Sequence, residues 1–123
     1  MKGVWLIMEM TVKNGNVKIS SEVISSIVSI AIDETEGFAL APENFIDKVF
    51  SKNEKAIKVT MHENDEVSIT ATVCVKYGLK INDEAKKLQS NILENLEIMT
   101  SLNINEININ IISLIKETVD LNK

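Results

Sequence analysis

Apolar and polar residues alternate most strictly between Ile57 and Tyr77, on both sides of a short acidic turn at residues 63–66. Strict alternation is typical of strands that bury one face and expose the other. The pattern therefore predicts a β-hairpin that ends at Gly78 and has one apolar face. The residues predicted to face outward are Lys58, Thr60, Ser68, Thr70, Thr72, Cys74 and Lys76.

A helical period replaces this alternation upstream of the hairpin. Ser20 or Ser21 can cap a helix that runs to about Glu36 and stops at Gly37, a residue suited to the left-handed position after a helix. Apolar residues cover one wide arc, which predicts broad burial against a sheet. The arc contains Val23, Ile24, Ile27, Val28, Ile30, Ala31 and Ile32. Glu34 also lies in it, and either reaches solvent, hydrogen-bonds to nearby backbone, or is a buried carboxylate that pairs with a partner or a lysine.

A second amphipathic helix is predicted from a cap at Asn82 or Asp83 to about Ser101. Its apolar seam is Ala85, Leu88, Ile92, Leu96 and Met99. Alternating isoleucine and asparagine then predict a last strand near residues 104–112, and a short first strand is predicted at residues 16–19.

Residues 38–55 have the weakest pattern in the chain. They contain the only proline and four apolar residues at helical spacing, Phe45, Ile46, Val49 and Phe50. We interpret this segment as a loop that carries a short amphipathic helix. That helix either completes the core of a monomer or presents an apolar surface to another molecule.

The predicted elements follow the order β-α-β-β-α-β. Two amphipathic helices and a sheet with one apolar face predict an α+β fold, a two-layer sandwich with both helices packed on one face of a mixed sheet. The 123 residues are expected to form a single domain with a core at about residues 15–112, a short N-terminal extension and a polar C-terminal tail.

The composition of the chain bears on whether it binds nucleic acid, crosses a membrane or lies in the cytoplasm. The formal net charge is −5 and every cation is lysine, so we expect no nucleic-acid partner, because phosphate affinity comes largely from clustered cations. An N-terminal apolar run at residues 4–8 is far shorter than the ~20 residues that span a bilayer, so no direct membrane span is expected. Cys74, the single cysteine, cannot form an intramolecular disulfide, which suits the cytoplasm.

Two groups of residues could carry chemistry. His62 with Glu63, Asp65 and Glu66 is either a metal cluster or a solvated hairpin turn, and the sequence lacks the ligand spacing of zinc and calcium sites. Cys74 is either a nucleophile or a structural residue, and His62 is the only histidine that could serve as its base. We therefore predict a protein that is not an enzyme and has no metal or other cofactor.

Blocks of residues along most of the chain resemble a known family. They are residues 15–20 (Gly-Asn-Val-Lys-Ile-Ser), 34–37 (Glu-Thr-Glu-Gly), 77–81 (Tyr-Gly-Leu-Lys-Ile), 99–100 (Met-Thr) and 104–109 (Ile-Asn-Glu-Ile-Asn-Ile). In this order and spacing they resemble the alkaline shock protein family, the envelope stress response proteins of Gram-positive bacteria.

The chain departs from the family at three places. Ser101 stands where a glycine is usual, Asn82 stands where a proline is usual, and residues 38–55 replace a glycine-rich segment. The resemblance implies an abundant cytoplasmic protein without established catalytic residues. It also implies self-association, a link to cell-envelope stress, and attachment to the membrane through a separate anchor protein.

These inferences lead to two hypotheses of function. The first is a non-enzymatic scaffold or adaptor that forms homo-oligomers, with candidate interaction residues Glu34, Phe45, Ile46, Val49, Phe50, Thr70 and Thr72. The second is a regulatory domain that binds a metabolic enzyme or nucleic acid. Concentration-dependent oligomers without nucleic acid would favour the first hypothesis, and retention on heparin would favour the second.

Overall fold

The computed structural model describes residues 17–42 and 55–116. The helices and strands in these ranges are α1 (Ser21–Glu34), β1 (Phe38–Leu40), β2 (Ile57–Met61), β3 (Glu66–Lys76), α2 (Ile81–Thr100) and β4 (Asn103–Ile115), with a single 3-10 turn at Glu63–Asp65.

The 11-residue strand β3 is the centre of the sheet. One of its edges pairs antiparallel first with β2, with Ile57 opposite Ala71, and then with β1, with Phe38 opposite Val75. The other edge pairs in parallel with β4. The sheet is therefore mixed, and three strands wide at each point along β3. The parallel β3–α2–β4 unit is the crossover that lets two parallel strands lie side by side.

Both helices cover the same face of this sheet, as the sequence predicts for a two-layer α+β sandwich. Every second residue of β3 is fully buried against them: Val67, Ile69, Ala71, Val73 and Val75. The helices contribute Ile24, Ile27, Val28, Ala31 and Ile32 from α1, and Leu88, Ile92 and Leu96 from α2. Burying these branched aliphatic side chains stabilises the fold by roughly 1.5–3 kcal/mol for each large one.

A polar contact joins the two helices above the core. Ser20 caps α1 by accepting a hydrogen bond from the backbone N–H of Val23, as predicted. At the other end, buried Thr35 donates its hydroxyl hydrogen to the carbonyl of Ala31 and accepts a hydrogen bond from the Asn91 amide at 2.9 Å. Both partners of the Thr35 hydroxyl are supplied within the protein, so its burial is not penalised.

α1 ends at Glu34, two residues before the end that the sequence predicts, and Thr35 is its cap. Gly37 follows this cap and has a φ of 96°, a conformation that residues with a Cβ rarely adopt. A Cβ at this position would also collide with the Leu79 side chain. We expect Gly37→Ala to lower the free energy of unfolding in urea by more than Gly78→Ala. Gly78 also has a positive φ but open space around it. Gly78→Ala should therefore lower the free energy of unfolding by about 1–2 kcal/mol.

The comparison isolates the contact with Leu79. In a Leu79→Ala background the two alanine substitutions should cost nearly the same, because the shortened side chain no longer meets the added methyl group. Equal losses in the wild-type background would show that the Leu79 contact has no energetic effect.

Some local predictions were wrong although the fold class was right. The described part of the first predicted strand, from Val17 to Ile19, has no regular structure, and β1 lies inside the segment interpreted as a loop. Val23 and Ile30 of α1 are exposed, because a helix lying on a sheet buries one stripe and leaves the borders of a wider apolar arc in solvent. Met99 is also exposed, in the last turn of α2.

Ser101 ends α2 in the left-handed conformation, with a φ of 59°. This is the position at which the sequence departs from the glycine of the similar family. The left-handed conformation after a helix favours glycine, and here a serine adopts it.

Candidate interaction site

We call the side of the sheet that faces away from the helices the second face. The described residues on it come from all four strands: Lys58 and Thr60 on β2, Ala39 on β1, Ser68, Thr70, Thr72, Cys74 and Lys76 on β3, and Glu106, Asn108, Asn110 and Ser113 on β4. The alternation in the sequence assigns the β2 and β3 residues to this face correctly. It does not show which of them reach solvent.

One end of the second face is buried, which corrects the sequence prediction. Thr72 is only 3% exposed and Cys74 only 4%. Ala41 is buried against Cys74, and Ala56 and Ile112 pack around this pair. Small side chains at this end let neighbouring atoms approach closely. Period-two alternation shows which residues share a face of the sheet, but not whether other residues cover that face. Thr72 is therefore not available as a contact surface in this structure.

The other end of the second face is polar. Thr70 is half-buried, with Lys58 of β2 opposite it on one side and Asn108 of β4 opposite it on the other. Asn108 donates a hydrogen bond to the Glu106 carboxylate. Thr70 thus remains a candidate interaction residue, in a surface of short neutral side chains with a few charges at its border.

The other interaction candidates lie elsewhere. Glu34 is exposed near the end of α1, so the solvent-reaching interpretation is right and the buried-carboxylate interpretation is wrong. The apolar set of Phe45, Ile46, Val49 and Phe50 lies outside the described residues, and its role stays a prediction.

The structure separates the two groups that could have formed a nucleophilic site. His62 is exposed in the hairpin turn, and its Nε2 lies 2.9 Å from the Ser68 hydroxyl. Cys74 lies further along β3 than Ser68, and at about 3.3 Å per residue the two are roughly 20 Å apart. Burial raises the pKa of the Cys74 thiol, and a hydrogen bond with Ser113 only partly opposes this shift. A neutral thiol without a neighbouring imidazole is a poor nucleophile.

Within 17–42 and 55–116, no group of three or more His, Cys, Asp or Glu side chains is placed to hold a metal ion. No helix in these ranges is long and apolar enough to cross a membrane.

The outer edge of β4 is a second candidate site. In the described structure β4 pairs only with β3, so its 13 residues present one side without a strand partner there. Between Asn103 and Ile115 the only charged residue is Glu106, and the strand contains no proline or lysine. Charge and proline are the usual protection of an edge strand against pairing with another chain.

Hydrogen bonds of Thr72 show which β4 backbone groups face outward. The Thr72 N–H donates to Ala56 O at 2.7 Å and its carbonyl accepts from Ala41 N at 3.1 Å, so both point away from β4. The backbone groups of the residues on either side of Thr72 in β3 therefore point toward β4. There they bond to the backbone N–H and C=O of Asn110, the residue opposite Thr72. Along β4, residues whose backbone groups point toward β3 then alternate with residues whose backbone groups point outward.

By this alternation, the backbone groups of Ile107, Ile109 and Ile111 face the open edge. An independent contact agrees with it, because the Gln89 side chain of α2 donates a hydrogen bond to the carbonyl oxygen of Ile107 at 2.9 Å. The sequence predicts this strand but not its position at an edge of the described sheet. The regular alternation of isoleucine and asparagine was the available signal.

Comparisons with known proteins agree with the resemblance in the sequence. The family model described as having a cell envelope-related function, that of alkaline shock protein 23, matches residues 9–116. The chain is also similar to the uncharacterized protein YqhY of Bacillus subtilis (strain 168), with 37% identity over 105 residues, which cover 81% of this chain and 77% of the relative. No solved structure matches the chain.

Proposed function

The chain belongs to the alkaline shock protein 23 family, and from this premise we propose that it is a non-enzymatic cytoplasmic scaffold that acts by self-association and by binding envelope-linked proteins. The family description contributes a cell envelope-related function. Self-association, the absence of catalysis and the cytoplasmic compartment go beyond that description and belong to the proposal. A membrane-anchor protein is the second kind of partner that this proposal implies.

The observation that carries the proposal is the outer edge of β4. Its outward backbone groups, aliphatic side chains and single charge resemble the surfaces that add a strand from another chain. The polar end of the second face adjoins this edge, since Asn108 and Asn110 belong to both. Together they form a surface of isoleucine, asparagine and threonine side chains, with Glu106 as the single charge on β4.

The electrostatics of the described surface also favour a protein partner. Thr70, Asn108 and Asn110 offer neutral donors and acceptors rather than a field of one sign. Such groups can form directed hydrogen bonds with another protein at a small cost of desolvation. A basic groove that follows phosphates needs clustered cations, and the chain as a whole is acidic.

Light scattering of the purified full chain tests this proposal. Across a range from micromolar to millimolar protein, we expect the mean mass to rise above the monomer mass of 13.7 kDa. Because the contacts are apolar and backbone hydrogen bonds, moderate salt should change the mass little. A constant mass of 13.7 kDa throughout the range would refute self-association.

A further inference from the structure

We propose that two copies of this chain pair antiparallel along their β4 edges, about a two-fold axis that passes beside Ile109, and so form one continuous sheet. This inference rests on the proposed self-association and names the surface and the geometry that produce it. It follows from the direction of the backbone groups, the order of the side chains and the position of the charge in β4.

The backbone groups fit this arrangement. With Ile109 of one copy opposite Ile109 of the other, two residues with outward N–H and C=O groups face each other and exchange both hydrogen bonds. Ile107 then lies opposite Ile111 of the second copy, and this pair bonds in the same way. Gln89 already donates to the Ile107 carbonyl, which has a second lone pair for the new partner.

The side chains fit because residues 107–111 read the same in both directions, Ile-Asn-Ile-Asn-Ile. Antiparallel pairing about Ile109 puts isoleucine opposite isoleucine on the helix side, where Ile107, Ile109 and Ile111 are only partly buried in one copy. It puts Asn108 opposite Asn110 of the second copy on the second face. Each asparagine amide can both donate and accept, so the pair can form hydrogen bonds without a charge.

The regular stretch of β4 also contains all the residues that the proposed pairing uses. β4 has irregularities in its pairing with β3 between Ile104 and Glu106 and between Ile111 and Ser113, so the regular stretch is residues 106–111. The palindrome lies inside this stretch. About the proposed axis, Glu106 lies near Ile112 of the second copy, so the two Glu106 carboxylates do not face each other.

A second copy is favoured over an unrelated peptide by this symmetry. An isologous contact requires that one patch be complementary to itself in a single register. A strand of arbitrary sequence could use the outward backbone groups, but it would not need a palindrome centred on an outward-facing residue. Occupation of the edge by another segment of the same chain is an alternative that the experiment distinguishes.

A pair of charge variants of the full chain tests the geometry. Asn108→Lys with Asn110→Lys puts lysine opposite lysine in both symmetric pairs, whereas Asn108→Lys with Asn110→Glu puts lysine opposite glutamate in both. We expect sedimentation velocity to show association about tenfold weaker than wild type for the first variant. The second variant should associate about as strongly as wild type. Both contain Lys at 108 beside Glu106, and they differ only in the sign of the charge at residue 110.

The possible results separate this inference from the proposed function. Thermal unfolding followed by circular dichroism should give similar midpoints for the two variants, which excludes a folding defect as the cause. If wild type associates but the two variants behave alike, the antiparallel β4 pairing is wrong while self-association stands. A wild-type chain that is monomeric throughout, as it would be if its own residues covered the edge, overturns both.

Discussion

Replacing Ile69 with aspartate is expected to unfold the domain under conditions in which the wild-type chain is folded. Ile69 is 0% exposed and lies on β3 between β2 and β4, on the face covered by the helices. The substitution removes a large aliphatic side chain and buries a carboxylate with no cation beside it in the core. The expected loss exceeds about 4 kcal/mol, a large part of the 5–15 kcal/mol typical of a domain.

Far-ultraviolet circular dichroism and urea denaturation measure this effect, and Val73→Asp should give the same result because Val73 is equally buried on the same face. The matched control is Thr70→Asp, one residue along the strand and on the second face. Its side chain is half-buried opposite Lys58 of β2, so the new carboxylate has water and a cation nearby. We expect a change within about 1 kcal/mol. Equal destabilisation by Ile69→Asp and Thr70→Asp would contradict a sheet with one helix-covered face.

Thr72→Asp is expected to have the second-largest effect, although alternation alone predicts that it resembles Thr70→Asp. Thr72 is 3% exposed on the second face, at the end where Ala41 and Cys74 are also buried. A carboxylate there loses its hydration, and the described residues beside it on this face, Cys74 and Asn110, carry no positive charge. We expect a loss of roughly 2–5 kcal/mol in the free energy of unfolding.

Thr72→Val provides the control for shape at this position. Valine has nearly the shape of threonine and adds no charge, but it removes the hydroxyl, so its loss of stability should be smaller than that of Thr72→Asp and separates the cost of the charge from the cost of losing the hydroxyl. Urea denaturation of Thr70→Asp, Thr72→Asp and Thr72→Val side by side decides the point. Thr72→Asp as stable as Thr70→Asp would mean that this end of the second face is open to water in solution.

The sequence predicts the layers of this fold well because periodicity reports which side chains share a face. The seam of Leu88, Ile92 and Leu96 and the odd-numbered residues of β3 are buried as predicted. The Ser20 cap and the left-handed Gly37 were predicted from local chemistry, which requires no knowledge of neighbouring elements. These features depend on residues close together in the chain.

The features that sequence analysis missed depend on contacts between distant residues. Three-residue β1 is too short for its own alternation to be detected, and it exists because β3 is long enough to pair with two strands along one edge. The burial at this end of the second face has the same origin, since Ala41, Ala56 and Ile112 come together with Cys74 from different parts of the chain.

The candidate site was predicted less completely than the fold. Thr70 lies where it was expected, Thr72 is buried and Glu34 is simply exposed. The β4 edge was absent from the predicted site, because the position of a strand in its sheet is set by topology and not by its own sequence. The palindrome at residues 107–111 acquires a meaning only when that edge is known to be open in the described structure.

Amide hydrogen exchange of the full chain at low and high protein concentration tests the central claim most directly, because it reads individual backbone groups of β4. The amides of Asn108 and Asn110 bond to β3 and should be protected at both concentrations. Those of Ile109 and Ile111 face the edge and should exchange fast in dilute solution. They should become protected as the concentration rises and the second copy pairs. Fast exchange of Ile109 and Ile111 at every concentration would contradict the claim, as would full protection of both in the dilute monomer.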